Sequence, residues 1–153
     1  MRYFKLTLLL LPFMVLSQSE SISFNNDGSY IIIPDAPSLN PTEAFTISFW
    51  TKLNQLDNGI SHFFNKWSNT SDGASQYIFA CNNVGLYAYI GSSYIQTSFS
   101  PTLNTWQYLS ITHNFQTCNT IFYIEGVPVY TEQNVCPEAI TTNHDINIGG
   151  NST

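Results

Sequence analysis

The carboxylates are the first residues to examine for chemistry, because hydrolysis of a glycosidic bond requires two of them in one site. The two carboxyl groups must lie about 5–5.5 Å or about 6.5–9.5 Å apart, and residues two apart on one β-strand can supply such a spacing. No two acids of this chain are closer than six residues: Glu20, Asp27, Asp35, Glu43, Asp57, Asp72, Glu125, Glu132, Glu138 and Asp145. No strand therefore carries a carboxylate pair, and we expect that the protein is not an enzyme.

Metal-ligating residues are sparse as well. The chain has three cysteines without a CxxC pair and three scattered histidines, which argues against a zinc site. Asp27, Asp72 and Asp145 lie beside asparagines in predicted loops, where carboxylate and carbonyl oxygens suit calcium. The alternative is ordinary turn chemistry, in which Asp and Asn side chains bond their own backbone. Calcium is therefore the one cofactor that the sequence leaves open.

Aromatic side chains are the candidate ligand-binding residues, since they make up 15% of the chain. Trp50, Tyr87 and Tyr89 are candidates for stacking on sugar rings, and the alternative for each is core packing. Alternation places Tyr87 and Tyr89 on the strand face opposite Leu86, Ala88 and Ile90. We predict that Trp106, in contrast, belongs to the core.

The charge balance excludes some classes of partner. Four basic residues face ten acidic ones, for a net charge of −6. Without Arg2 and Lys5, which lie in the first five positions, the charge becomes −8. Such a chain lacks the basic footprint that nucleic acids require, and it is not suited to anionic lipid surfaces.

The N-terminus predicts export from the cell. Residues 1–17 place two basic residues before an apolar run that ends at Leu16, and this is the pattern of a cleaved signal peptide. The alternative, a membrane anchor, requires about 20 apolar residues, and the run is shorter. We expect cleavage after Ser17, a domain over residues 18–153, a secreted protein without a membrane span, and N-glycosylation at Asn69 and Asn151 within N-x-S/T triplets.

The positioning elements are strands. Residues 106–130 alternate between apolar and polar, which predicts two long antiparallel strands, the second folding back at Glu125 and Gly126. In that hairpin, facing residues have numbers that sum to about 251. Cys118 and Cys136 sum to 254, so we predict that they form a disulfide. Cys81 is then either a buried small hydrophobe or a bridge to a partner.

The order of segments resembles a known family. The chain is similar to the laminin-G-like jelly roll of the concanavalin A-like lectin/glucanase superfamily. The resemblance is carried by Asp27-Gly28, TISFW (46–50), WQYLSITH (106–113), YIEG (123–126) and IG (148–149). It departs from the family pattern at Glu125, where Asp is usual, and at the end of the chain, where a further strand normally follows. We therefore expect an all-β, two-sheet antiparallel β-sandwich that lacks its last strand and is C-terminally incomplete.

The resemblance implies a function class. It implies a secreted or cell-surface recognition module that binds glycan or an extracellular protein, with calcium bound in many relatives. It leaves two alternatives, a glycoside hydrolase of the same superfamily and a structural adhesion or spacer domain. The hydrolase members that resemble laminarinases carry E-x-D-x-x-E on one strand, a pattern that is absent here.

Overall fold

The computed structural model describes residues 20–24, 28–55, 60–67 and 75–149, which form two antiparallel sheets. Their strands are β1 Ile31–Ile33, β2 Ala44–Thr51, β3 Ser61–Trp67, β4 Ser75–Cys81, β5 Leu86–Ile90, β6 Ser93–Gln96, β7 Gln107–Asn114, β8 Asn119–Ile124, β9 Val127–Glu132 and β10 Ile146–Ile148. The helical structure in these ranges is one 3₁₀ turn at Pro37–Leu39. The all-β sandwich prediction is therefore confirmed, and no described helix is long and apolar enough to cross a membrane.

The two sheets differ in size. One has six strands in the order β1-β10-β3-β4-β5-β6, and the other has four in the order β2-β7-β8-β9. The core lies between them, and its centre is the fully buried Phe79. The Phe79 ring lies 5.7 Å from Phe49, 5.7 Å from Phe63 and 5.9 Å from Phe122, measured between centroids. Both sheets thus contribute aromatic rings to one hydrophobic layer, as face-to-face sheet packing requires.

Strand β2 shows how the sequence pattern builds a sheet face. Its sequence AFTISFWT alternates strictly, and it pairs with β7 over its whole length without a bulge. Phe45, Ile47 and Phe49 pack against the core cluster, while Trp50 points the other way and is 61% exposed. The period of two therefore decides which aromatic side chains meet solvent.

Residues 106–130 form three strands, so the prediction of two long strands was wrong. Strands β7 and β8 are joined by a turn at residues 115–118 that contains neither glycine nor proline. The turn is stabilised by Asn114, whose Oδ1 accepts hydrogen bonds from the backbone N–H groups of Gln116 and Thr117 at 2.9 Å each. This is Asx-turn chemistry, and Cys118 completes it with a φ of +57°.

The turn at Glu125 and Gly126 is where the sequence predicts it. Both residues have positive φ, +53° and +74°, as the favoured two-residue hairpin turns require. The facing pairs of β8 and β9 have numbers that sum to 251 or 252, with one bulge after Phe122. Cys118 and Cys136 are joined by a disulfide, the same pair that the sequence predicts from this register.

Cys81 is the free cysteine of the described chain and is fully buried in the core cluster. Burial raises the pKa of its thiol to about 11, so the thiol stays protonated and unreactive at neutral pH. The environment matches a small buried hydrophobe rather than a bridge to a partner.

A buried lysine ties three segments together at one end of the six-stranded sheet. Lys66 is fully buried, and its Nζ donates to Asp35 Oδ1 at 2.6 Å, Asn40 Oδ1 at 3.1 Å and the Thr142 carbonyl at 3.0 Å. The hydrogen bond from Lys66 lowers the pKa of Asp35. We name these four residues the lysine clamp.

Candidate functional site

The face of the six-stranded sheet that points away from the core carries two cross-strand rows of side chains. One row crosses all six strands through Ile32, Asn147, Asn65, Ile78, Tyr89 and Tyr94. The second row contains His62, Ala80, Tyr87 and Gln96. Neighbours within such rows lie within side-chain contact distance of one another. We name this set of residues the outer face.

Three tyrosines of the outer face form a cluster. The ring centroids lie 4.9 Å apart for Tyr89 and Tyr94, 5.6 Å for Tyr87 and Tyr94, and 6.3 Å for Tyr87 and Tyr89. Tyr94 is 46% exposed, Tyr89 is partly buried and Tyr87 is 1% exposed. The cluster therefore has a solvent-facing ring above a buried one. Tyr87 and Tyr89 were predicted from the sequence, whereas Tyr94 was missed.

The tight turn between β5 and β6 brings Tyr89 and Tyr94 together. Gly91 in this turn has a φ of +57°, and a Cβ there would lie 2.9 Å from the Glu138 carbonyl oxygen. Only glycine fits that position without a shift of the backbone. Its backbone N–H donates to the Gln76 carbonyl at 3.0 Å, so the turn is fixed to the neighbouring strand as well.

Trp67 and Tyr89 pack against the apolar middle of this face, which is formed by Ile78, Ala80 and Tyr87. Gln96 borders the cluster: it accepts a hydrogen bond from the Tyr94 hydroxyl through Oε1. Its Nε2 donates to the Leu86 and Thr97 carbonyls at 3.1 and 2.7 Å. The exposed tyrosine is thus held by a side chain that is itself anchored to the backbone.

Buried polar atoms lie on the same side of the sheet. Asn147 Nδ2 donates to Asn65 Oδ1 at 3.3 Å. Within the described part of the chain, Tyr87 Oη, Asn147 Oδ1 and both side-chain atoms of Gln76 are buried without a hydrogen-bond partner. Each such group costs about 1–3 kcal/mol. Burial also raises the pKa of Tyr87, so this hydroxyl is neutral and is able to serve as either donor or acceptor.

Trp50, the third predicted ligand-binding residue, lies on the other sheet. It faces Tyr108 across the β2–β7 pair, with ring centroids 5.5 Å apart. The structure therefore brings Tyr87 and Tyr89 together but not Trp50 with them. The prediction that Trp106 is a core residue was wrong, because its side chain is 48% exposed. It precedes β7 in a loop instead of lying between the sheets.

His113 is buried beside Phe45 and Phe115. Its Nδ1 lies 2.8 Å from Thr120 Oγ1. Its Nε2 has no partner among the described residues, so the imidazole is only half satisfied. It lines a shallow groove of about 420 Å³ together with Asn119 and others. Burial lowers the pKa of His113, which keeps the imidazole neutral at physiological pH.

The lowered pKa predicts an acid-sensitive fold. Below about pH 6.5 the unfolded chain binds a proton at His113 that the folded chain refuses, so the free energy of unfolding falls as the pH falls. We expect urea midpoints to decrease from pH 7 towards pH 5, and His113→Leu to flatten this slope. Equal slopes for the two proteins would show that His113 is not the cause of the acid sensitivity.

Of the three predicted calcium ligands, the described residues include Asp145. Its Oδ1 accepts a hydrogen bond from the Asp35 backbone N–H at 2.9 Å, a contact between residues 110 apart in the chain and not a local turn bond. Asp27 and Asp72 lie outside the described residues, as do Asn69, Asn151 and residues 1–17. No group of three His, Cys, Asp or Glu side chains that could hold a metal occurs in the ranges described.

The outer face carries no carboxylate in its described residues. Neither the short nor the long carboxyl separation of glycoside hydrolases can be built there. What the face offers is an aromatic surface, amides and hydroxyls.

Comparison with known proteins agrees with the fold. A family model described as the concanavalin A-like lectin/glucanases superfamily matches residues 25–153. No curated protein sequence matches the chain.

Solved structures that resemble the chain include the receptor binding domain of botulinum neurotoxin D, with a TM-score of 0.64, 16% identity and coverage of 81% of this chain and 34% of that one. A second is a structure of botulinum neurotoxin type C, a toxin whose cell entry is dependent upon interaction with two ganglioside molecules. Its TM-score is 0.60 at 18% identity, and the match covers 81% of this chain and 32% of that one. A third is domain 4 of AbnA, a GH43 extracellular arabinanase from Geobacillus stearothermophilus, in complex with arabinotriose. Its TM-score is 0.58 at 20% identity, and the match covers 80% of this chain and 58% of that one. The chain thus spans about a third of the neurotoxin chains, and these likenesses establish the fold alone.

Proposed function

Because the chain belongs to the concanavalin A-like lectin/glucanases superfamily, we propose that it is a secreted, non-catalytic recognition module that binds a glycan on the outer face. One observation carries this proposal: the tyrosine cluster lies in register with buried amides on a sheet face without carboxylates. Aromatic rings bind the apolar faces of sugars, while amides and hydroxyls bond their hydroxyl groups.

The resembling structures support a glycan rather than another ligand class. The arabinanase domain was solved with arabinotriose, and the type C neurotoxin depends on gangliosides. An extracellular protein partner is the second candidate. The exposed Trp50 on the opposite sheet, which packs against the partly buried Tyr108, favours it. Aromatic side chains of this kind are enriched in protein interfaces.

Export is part of the proposal. The signal-like N-terminus and the Cys118–Cys136 disulfide both suit an oxidising compartment. N-glycosylation at Asn69 and Asn151 stays a prediction. Comparison of the intact mass of the protein before and after glycosidase treatment tests it. The calcium requirement also stays a prediction. Glycan binding measured with and without a chelator tests it, and the outer face as described supplies no ligand set for the ion.

The test removes the exposed ring of the cluster. Tyr94→Ala is expected to weaken glycan binding about tenfold, roughly 1.4 kcal/mol, because it deletes one stacking surface. Tyr94→Phe keeps the ring and is expected to bind within about threefold of the wild type. An array of arabino-, galacto- and gluco-oligosaccharides with gangliosides identifies the ligand, and calorimetry with the strongest binder gives the affinities.

The matched control lies on the other sheet. Trp50→Ala removes an aromatic side chain that is more exposed than Tyr94, so it is expected to leave glycan affinity unchanged. Thermal unfolding of each variant verifies the fold. Loss of binding in Trp50→Ala but not in Tyr94→Ala would move the site to the four-stranded sheet. Absence of binding to every glycan would refute the proposal, and release of reducing sugar would favour the hydrolase alternative.

A further inference from the structure

We propose that the glycan bound by the outer face is neutral, built from uncharged hexose or pentose units without sialic acid, uronic acid or sulfate. This inference rests on the proposed function and names its ligand class. It depends on where the basic side chains of the described chain lie and on which hydrogen-bonding groups the outer face presents.

The basic side chains of the described chain are Lys52 and Lys66. Lys66 is fully buried, and Asp35, Asn40 and Thr142 occupy its amine, so it has no donor left for a ligand. Lys52 lies in the connection directly after β2, a strand of the four-stranded sheet. The outer face consequently offers no lysine or arginine to an anionic sugar in the part of the chain described. Binding a carboxylate or sulfate in a partly buried site without a cation is costly.

The hydrogen-bonding groups lead to the same conclusion. The two rows of the outer face contain the amides of Asn65 and Asn147 and the hydroxyl of Tyr87, all buried, and the partly buried amide of Gln96. The Gln76 amide is buried as well. Amides and hydroxyls both donate and accept, as sugar hydroxyls do. A carboxylate or sulfate only accepts, so it can use the donors of such groups but not their acceptors.

The net charge adds a long-range contribution of the same sign. The chain carries −6 overall, so it repels an anionic glycan before contact. This repulsion is screened beyond about 8 Å at physiological salt, and it therefore affects association more than the bound state. Affinity for a neutral glycan should not depend on salt.

The experiment compares matched pairs on a glycan array and then by calorimetry. Each pair contains a neutral oligosaccharide and its sialylated, uronate or sulfated counterpart, and gangliosides are included as sialylated glycolipids. The measurements are made at about pH 8, where histidine side chains of ordinary pKa are neutral. We expect the neutral member of each pair to bind at least about tenfold more tightly, with no change between low salt and about 0.15 M salt.

The outcomes separate this inference from the proposed function. Equal or tighter binding of the anionic members would overturn it, and if Tyr94→Ala still abolished that binding the proposed function would stand. Tighter binding of the neutral members that Tyr94→Ala weakens supports both. If the protein is folded by circular dichroism and binds no glycan on the array, both the proposed function and this inference are refuted.

Discussion

Replacing Lys66 with methionine is expected to lower the free energy of unfolding by about 3 kcal/mol. The buried amine donates to Asp35, Asn40 and Thr142. Methionine has a side chain of similar length but makes none of these hydrogen bonds. Hydrogen bonds to a charged group contribute about 1.5–3 kcal/mol each, and the relief from burying an ammonium group offsets part of their loss. Urea unfolding measures the difference, and an unchanged m-value shows that the native state is intact.

The acid limb of stability gives a second readout of the same clamp. Lys66 lowers the pKa of Asp35 in the folded protein. The Asp35 carboxylate therefore stabilises the wild type fully above its pKa in the unfolded chain, about 4, and this contribution is lost as the pH falls through the folded pKa. In Lys66→Met this pH dependence of stability should disappear. Lys52→Met, which removes an exposed lysine, should change neither quantity. A Lys66→Met variant within about 0.5 kcal/mol of the wild type would mean that the clamp adds nothing net to the fold.

The faces of the strands could be predicted from the sequence because they depend on local alternation. FTISFW and LYAYI each place their aromatic residues by a period of two, and the structure puts Trp50, Tyr87 and Tyr89 on the faces expected. The register of the Glu125 turn is equally local, since a two-residue turn fixes every pair beyond it. That is why two cysteines 18 residues apart could be paired from their numbers.

The candidate site needed information that is not local. Tyr94 joins the cluster only because Gly91 allows β6 to fold back on β5, and the Gly91-Ser92 pair at the end of LYAYI was the available signal. Asn65 and Asn147 are 82 residues apart, and they meet because β10 enters the sheet between β1 and β3.

Burial of a lysine is also a tertiary effect. Nothing in FFNKW distinguishes Lys66 from a solvated lysine, because its main partner, Asp35, is 31 residues away. Trp106 illustrates the opposite error: aromatic composition suggests a core residue, but the backbone has not yet entered the sheet at that position. In both cases the surrounding chain, and not the residue type, decides burial.

Removal of the Cys118–Cys136 disulfide is expected to lower stability by about 3 kcal/mol, from the loop-closure entropy of an 18-residue separation. The double variant Cys118→Ala with Cys136→Ala places a small apolar side chain at both positions. We expect its urea midpoint to fall and not to respond to reducing agent. Wild-type protein in reducing agent should fall to the same midpoint.

The position of the bond predicts where the loosening occurs. Cys136 lies in the connection from β9 to β10. This connection contacts Gly91 of the β5–β6 turn through Glu138 and Ile140 and reaches the lysine clamp at Thr142. Without the bond this connection is held by Val135 on the core cluster and by its later contacts, so hydrogen exchange should rise over residues 133–141 more than in β7. Tyr89 and Tyr94 flank the β5–β6 turn, so loosening of this connection should also weaken glycan affinity. A stability loss without local exchange would instead indicate that the bond acts only on the unfolded chain.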